Sequence, residues 1–177
     1  MMEIRIHGRG GQGSVTMAEL IAEAAFFDGK FSQAFPNFGV ERRGAPVTAF
    51  VRIDKKYIRL RSQVYEPDYI IIQDPTLLDG TDVLAGAKKE AIVLINTEKK
   101  KLDMPGVNVK PLSATELALE VIGKPIINTT ILGAFAALSG LISLGAVEKA
   151  IRKRFIGDLA QRNVLAAKKG FEIMSHN

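Results

Sequence analysis

The sequence contains no cysteine, and its only histidines are His7 and His176. Without cysteine the chain forms no disulfide, has no thiol nucleophile and cannot hold an iron–sulfur cluster through thiolates. Two histidines far apart in sequence disfavour a zinc site. A catalytic triad within the chain is also disfavoured, because His176 lies at the terminus, where residues are commonly frayed. We therefore expect this chain to hold no metal site.

Long hydrophobic runs are also missing from the chain. A membrane-spanning helix needs about 20 consecutive apolar residues. The nearest approach is the stretch 126–144, which polar residues interrupt at Asn128, Thr129, Thr130, Ser139 and Ser143. The sequence opens on a strand-like pattern at residues 3–7 and shows no signal-peptide pattern. These features predict a cytoplasmic protein that makes no membrane contact.

The composition is that of an ordinary globular protein, with 47% hydrophobic and 24% charged residues. A length of 177 residues fits a single domain over 1–177. The net charge is +5, but the basic residues are scattered and only 7% of the residues are aromatic. Since nucleic-acid sites usually show clustered basic residues, we expect no nucleic-acid partner.

Short apolar or alternating segments predict a sheet. The expected strands cover residues 3–7, 30–35, 47–53, 57–61, 68–74, 91–96 and 107–112. The segments 68–74 and 91–96 are short apolar runs with polar ends, Gln73 and Asn96 among them, as is typical of strands buried on both faces. Residues 57–61 alternate cleanly and should pair with 47–53 as a hairpin across the turn at 54–56. The sheet is therefore expected to be partly antiparallel.

Helical spacing of apolar residues predicts helices at 14–27 and 77–88 and throughout the last third of the chain. Ser113 and Glu116 form a capping-box pattern that opens a further helix to residue 122. The stretch 127–143 is apolar almost all round, which indicates a buried helix. Together these elements predict an α/β fold, a three-layer α/β/α sandwich with a mixed, mostly parallel sheet and a hairpin.

A glycine-rich loop connects the first strand to the first helix. Its candidate ligand-binding or interface residues are Gly8, Arg9, Gly10, Gly11, Gln12 and Gly13. The spacing matches a dinucleotide-binding loop, in which glycines let a phosphate approach the helix N-terminus. That fingerprint also requires an acidic residue at the end of the second strand, and residues 33–37 contain none. The alternative is a tight turn whose glycines allow another backbone to pack closely.

A second candidate loop covers residues 35–46. Loops of this length are often functional, and this one combines arginines, glycines and aromatic residues, as protein interfaces do. Arginine suits bidentate contact with a carboxylate or a phosphate. The candidate residues for an interface or for closure over a ligand are Phe38, Glu41, Arg42, Arg43 and Gly44.

A row of three arginines, Arg52, Arg59 and Arg61, would share one face of the predicted hairpin. Such a row could bind phosphate, but we interpret it as the solvated side of an antiparallel sheet. We therefore predict no second functional site at these arginines.

The glycine loop 8–13, the run 38–46, the segment 62–68 and the triplet Gln73-Asp74-Pro75 together resemble one family over nearly the whole chain. It is the gamma subunit of 2-oxoacid:ferredoxin oxidoreductases, and the pattern is most similar to that of the pyruvate enzyme. The branched-chain 2-oxoacid enzymes show a related pattern. The resemblance therefore leaves the 2-oxoacid open.

The resemblance implies a complex that converts pyruvate, coenzyme A and oxidised ferredoxin to acetyl-CoA, CO2 and reduced ferredoxin. Thiamine diphosphate would lie between alpha and beta subunits, and iron–sulfur clusters on beta and delta. This chain would be a subunit that binds no cofactor by itself and is inactive alone. We expect the two loops to face the other subunits near the coenzyme A entrance, where Arg42 or Arg43 helps to hold an anionic group or to lock the interface.

Two alternatives remain open from the sequence. One is a free-standing nucleotide-binding enzyme with a Rossmann-like sheet. The other is a binding module for coenzyme A that acts without stable partners. The missing acidic residue counts against the first, and the arginine–phenylalanine loop favours association over the second.

Overall fold

A computed structural model describes residues 1–37 and 43–176. Within these residues, six strands, five α-helices and one short 3-10 helix follow one another. The strands are β1 (Met2–Arg9), β2 (Phe31–Pro36), β3 (Pro46–Asp54), β4 (Tyr69–Ile72), β5 (Ile92–Asn96) and β6 (Asn108–Leu112). The helices are α1 (Ser14–Phe27), the 3-10 helix (Pro75–Asp79), α2 (Ala114–Ile122), α3 (Asn128–Ser139), α4 (Leu144–Arg154) and α5 (Gly157–Ser175).

The strands form one sheet in the order β2-β3-β1-β4-β5-β6. The strands β1, β4, β5 and β6 run parallel to one another, whereas β3 pairs antiparallel with both β1 and β2. The predicted α/β fold with a mixed, mostly parallel sheet is confirmed. The hairpin is formed by β2 and β3, which the chain joins through residues 37–45.

The two faces of the sheet bury different kinds of side chain. On β1, Ile4 and Ile6 face the large core to which all five α-helices contribute. Arg5 and His7 alternate with them and point to the opposite face, where they too are buried. That face has a smaller core under the 3-10 helix and under irregular segments that supply Val83 and Met104, among others. Helices thus form one outer layer, and the second outer layer is mostly irregular.

Helices α3 and α5 approach each other unusually closely. A Cβ atom on Gly133 would lie 1.8 Å from the carbonyl oxygen of Ala167, and one on Gly170 would lie 2.1 Å from that of Thr130. These distances leave no room for a side chain, so the small residues expected in the buried helix set how tightly the layer packs.

The predicted hairpin between 47–53 and 57–61 is wrong. Residues 57–61 form no strand, and β3 pairs with β1 and β2 instead. The segment follows an irregular course, with Ile58 buried and Arg59 and Arg61 exposed. Arg52 is fully buried rather than solvated. Its Nε donates to Glu3 at 2.8 Å, and its Nη2 donates to the carbonyl oxygen of Gln63, in the irregular segment that covers it, at 3.0 Å. The alternation within residues 57–61 therefore did not produce a strand, because β3 forms its hydrogen bonds with β1 and β2.

The predicted helix at 77–88 is also wrong, since the chain forms the 3-10 helix and then a series of turns. Gly86 has a φ of +67°, and a Cβ atom there would lie 2.2 Å from the carbonyl oxygen of Tyr65. The side chain of Arg5 holds the same turn by donating to the carbonyl oxygens of Val83 and Ala85. These contacts favour a turn over a continuous helix.

Among residues 1–37 and 43–176, no helix has both the length and the hydropathy needed to cross a membrane. The predictions of a single domain and of a cytoplasmic location stay predictions.

Candidate functional site

The candidate site lies where three parallel strands end. The glycine loop follows β1, Gln73 and Asp74 follow β4, and Asn96 closes β5. The carboxyl ends of neighbouring parallel strands meet at one sheet edge, where α/β proteins commonly bind ligands. An open cleft of about 640 Å³ lies at this edge. Its polar lining includes Gln12, Gln73, Asp74, Asn96, Thr115 and Asn128, and its apolar wall is formed by Pro75, Pro125, Ile126 and Ile127.

A chain of side-chain hydrogen bonds connects α1, β4 and α3 beneath the cleft. Ser14 Oγ donates to Gln73 Oε1 at 2.6 Å, and Gln73 Nε2 donates to Asn128 Oδ1 at 2.7 Å. Ser14 and Gln73 are both buried, so unpaired polar atoms at these positions would be costly. The network therefore holds the starts of two helices at fixed positions against the end of a central strand.

Asn96 does the same for α2. Its Oδ1 accepts a hydrogen bond from the backbone N–H of Thr115 at 3.2 Å, while its Nδ2 donates to the carbonyl oxygen of Gln73 at 3.0 Å. The predicted capping box is wrong: Ser113 Oγ donates to the carbonyl oxygen of Thr97 and makes no cap. A strand-end asparagine supplies the first-turn acceptor that the sequence pattern assigned to Ser113.

The glycine loop needs glycine for two separate reasons. Gly13 has a φ of +76°, and a Cβ atom there would lie 2.4 Å from Asn128 Nδ2. A Cβ atom on Gly8 would lie 2.3 Å from Ser14 Oγ and 2.4 Å from Gln73 Oε1. On one side the loop packs against the hydrogen-bonded side chains of Ser14, Gln73 and Asn128. On its other side it lines the cleft.

Helix α1 begins directly after Gly13 with no side-chain cap among the described residues, and its first turn contains no acid. The same is true of α3 after Ile127. Uncapped N–H groups and the positive end of the helix dipole both favour an anion or a carbonyl oxygen. The edge of the sheet is therefore suited to a negatively charged or oxygen-rich group.

The two loops singled out in the sequence are in direct contact. Gly10 N–H donates to the carbonyl oxygen of Ala45 at 2.8 Å, and Gly44 N–H donates to that of Gly10 at 3.0 Å. Arg43 is exposed beside the glycine loop and lines a second cleft, of about 530 Å³, with Arg9 and Val15. Of the other candidates, Phe38, Glu41 and Arg42 lie outside the described residues.

A charged cluster joins the glycine loop to the end of β4. Arg9 Nε lies 3.3 Å from Asp74 Oδ2, which also accepts a hydrogen bond from Gln12 Nε2 at 2.9 Å. Partial burial acts to raise the pKa of Asp74, but hydrogen bonds from Thr76 and Gln12, with the charge of Arg9, lower it below its usual value. Asp74 is therefore ionised at neutral pH.

Sequence reasoning missed several residues of this site. Asn96 and Gln73 were read as the polar ends of apolar strands, and Asn128 and Thr115 received no functional role. The sequence feature that could have predicted this site is a polar residue at the carboxyl end of each buried strand. The carboxyl ends of parallel strands lie at one edge of the sheet, so such residues come together there. Within the described ranges, no group of three or more metal-binding side chains is present.

Comparison with known proteins supplies independent information. The family model described as pyruvate ferredoxin/flavodoxin oxidoreductase matches residues 3–173. The chain is 55% identical to pyruvate synthase subunit PorC of Methanocaldococcus jannaschii, covering 98% of this chain and 97% of that protein. It is 53% identical to the pyruvate/ketoisovalerate oxidoreductases common subunit gamma of Pyrococcus furiosus, covering 97% and 96%.

The fold is similar to a crystal structure of pyruvate oxidoreductase subunit PORC from Thermotoga maritima. The TM-score is 0.84 at 37% sequence identity, and the match covers 97% of this chain and 95% of that chain. Sequence and fold thus agree over nearly the full length of both proteins.

Proposed function

This chain belongs to the pyruvate ferredoxin/flavodoxin oxidoreductase family, and from that membership we propose that it is the gamma subunit of a multi-subunit pyruvate:ferredoxin oxidoreductase. The complex converts pyruvate, coenzyme A and oxidised ferredoxin to acetyl-CoA, CO2 and reduced ferredoxin. The observation that carries the proposal is the 55% identity to a pyruvate synthase subunit over 98% of the chain.

In this proposal, the other subunits determine which 2-oxoacid the complex accepts as substrate. A relative that is 53% identical is named as a gamma subunit common to pyruvate and ketoisovalerate oxidoreductases. One gamma chain can therefore serve two substrates, and a complex that acts on branched-chain 2-oxoacids is the second candidate. Exchange of the partner subunits, with this chain held constant, would separate the two.

The partners we propose are alpha, beta and delta subunits, with ferredoxin acting through the complex. Thiamine diphosphate, held outside this chain, supplies the electron sink for decarboxylation. The iron–sulfur clusters also belong to the partners, since this chain has no cysteine to ligate one. This chain contributes assembly and closure of the coenzyme A site, and no catalytic residue is assigned to it.

The glycine loop and the segment from Arg43 to Pro46 are the surface that we assign to this role. Arg43 is exposed and carries a permanent positive charge. The uncapped start of α1 adds N–H donors close to it. Arginine together with a helix N-terminus suits the phosphates of coenzyme A or an acidic group of a partner subunit.

The dinucleotide-binding alternative loses support from the topology. In a Rossmann unit the strand after the first helix lies parallel and next to the first strand. Here β3 separates β2 from β1 and runs antiparallel to both. The strand β2 also ends at Pro36 with no carboxylate to hold a ribose.

The proposal is tested by co-expressing the chain with candidate alpha, beta and delta subunits and purifying through a tag on this chain. We expect a brown complex that reduces viologen in the presence of pyruvate, coenzyme A and thiamine diphosphate. Capture of none of the partners, when all are shown to be folded, would contradict the proposal.

Within that complex, Arg43→Ala should raise the KM for coenzyme A or weaken subunit association by about tenfold, the value of one charge-assisted hydrogen bond. The matched control is Arg59→Ala, which removes another exposed arginine, from the segment between β3 and β4. Steady-state kinetics and native mass spectrometry supply the two readouts. Wild-type values for both in the Arg43 variant would refute the assigned role.

A further inference from the structure

Arg9 occupies a central position between the two loops. Its Nε and Nη2 atoms lie 3.1 and 2.7 Å from Thr76 Oγ1, and its Nη1 donates to the carbonyl oxygen of Gly44 at 3.1 Å. One guanidinium group therefore bridges the end of β4 and the segment that contains Arg43. We call Arg9, Asp74, Thr76 and the carbonyl group of Gly44 the Arg9 clamp.

Asp74 fixes the orientation of that guanidinium. Its Oδ1 accepts hydrogen bonds from the N–H of Thr76 at 3.0 Å and from the hydroxyl at 2.6 Å. Its Oδ2 faces Gln12 Nε2 at 2.9 Å and Arg9 Nε at 3.3 Å. Because both oxygens are engaged and the side chain is only 15% exposed, the carboxylate has little rotational freedom.

The clamp completes the attachment of Gly44. The N–H of Gly44 already donates to the carbonyl oxygen of Gly10, and Arg9 engages its carbonyl group. With both backbone groups of Gly44 occupied, the preceding residue, Arg43, is kept beside the glycine loop. Among the described residues, Asp74 forms no hydrogen bond or ion pair with the segment 43–46, so it acts on that segment through Arg9.

We infer that Asp74 is a positioning residue that, through Arg9, holds Arg43 at the sheet edge where partner or coenzyme A is to be met. The role of Arg43 in meeting a partner or coenzyme A rests on the proposed function, whereas the positioning of Arg43 by Asp74 does not. The position of Arg43 can be measured in the isolated chain.

The first measurement is cleavage of the full chain by trypsin after Arg43. A protease must bind an extended segment with free backbone groups, and the clamp keeps the groups of Gly44 occupied. In Asp74→Asn the amide group places a donor against the donors of Gln12 or Arg9. We expect the fragment that begins at Gly44 to form about tenfold faster, as expected for the loss of about 1.4 kcal/mol of local protection.

The matched control is Asp68→Asn, the same substitution at the opposite end of β4. Asp68 is 18% exposed, pairs with Lys88 at 2.7 Å and accepts a hydrogen bond from the N–H of Glu3. The Asp68→Asn variant should be cleaved after Arg43 at the wild-type rate. If Asp74→Asn fails to fold, Thr76→Val removes the hydroxyl that contacts Arg9 and should accelerate the same cleavage.

An unchanged rate of cleavage in a folded Asp74→Asn or Thr76→Val variant would overturn the inference. In the assembled complex, Asp74→Asn should raise the KM for coenzyme A or weaken association while kcat in the intact complex is unchanged. Faster cleavage with wild-type KM and assembly would uphold the positioning of Arg43 and refute the proposed role of its loop. The two failures are therefore distinguishable.

Discussion

His7 shows how a single side chain is adapted to its place in the sheet. It is 5% exposed, and its Nε2 accepts a hydrogen bond from Arg5 Nε at 3.1 Å, which requires the neutral imidazole. Burial, reinforced by the charge of Arg5, lowers the pKa of His7 to about 4. One of the two histidines is thus a buried structural residue that remains uncharged at neutral pH.

This predicts a specific loss of stability in acid. Between pH 6.5 and 4 the unfolded chain takes up a proton at His7 that the folded chain does not, so stability falls as the pH is lowered. The loss over this interval is about 3 kcal/mol. His7→Gln keeps an acceptor for Arg5 but does not titrate, and its free energy of unfolding should fall less steeply. Denaturant titrations at pH 6.5 and 5 compare the two, and equal pH dependence would refute the assignment.

Arg52 shows where residue-level expectation failed. Sequence alternation placed it with Arg59 and Arg61 on a wet face, yet it is fully buried, paired with Glu3 and 5.3 Å from the centre of the Phe35 ring. The reason is that the segment 57–64 covers this face of the sheet. A local alternation of residues does not show whether another segment of the chain will cover the polar face of a strand.

At the scale of elements, two glycines allow the close packing of helices α3 and α5 in the helix layer. The close approach of α3 and α5 is set by Gly133 and Gly170. The sequence predicted a buried helix with small residues at 127–143. The structure confirms a buried helix, α3, but it ends at Ser139 because Gly140 adopts a φ of +59°. The sequence did not predict which helix would pack against those residues.

Gly133→Ala should therefore destabilise the protein by about 2 to 3 kcal/mol, because a methyl group 1.8 Å from the backbone oxygen of Ala167 forces the two helices apart. Gly145→Ala is the matched control, also a helical glycine, whose added methyl group would lie no closer than 4.0 Å to Ser143 Oγ. It should be neutral or stabilising by up to about 1 kcal/mol. Thermal unfolding measures both, and equal effects would contradict the packing argument.

At the scale of the whole molecule, the strand order places β1 and β4 at the centre of the sheet. Strands β1 and β4 have paired neighbours on both sides, whereas β2 and β6 form the two ends of the sheet. The central residues Ile4, Ile6, Ile70 and Ile71 are fully buried. Stability should accordingly be highest in the middle of the sheet and lowest at its ends.

Hydrogen exchange followed by mass spectrometry tests this gradient in the isolated chain. Amides of β1 and β4 should exchange only through global unfolding, while those of β6 exchange through local opening at least about tenfold faster. Peptides of β5 serve as an internal reference, since this strand also has two paired neighbours. Equal protection in β4 and β6 would contradict the prediction.

The sequence by itself determined the elements whose signals are local: the glycine loop between β1 and α1, the doubly buried strands β4 and β5, and the buried helix α3. It also determined the family, because the motifs keep their order and spacing over the whole chain. Only the tertiary structure decided that β3 inserts between β1 and β2, that Arg52 is buried, and that Asn96 caps α2. It likewise brought Asp74 to Arg9 and Asn128 to Gln73, which are distant in sequence. Such contacts depend on which strands become neighbours, and that choice is made by burial across the whole sheet rather than by any local pattern.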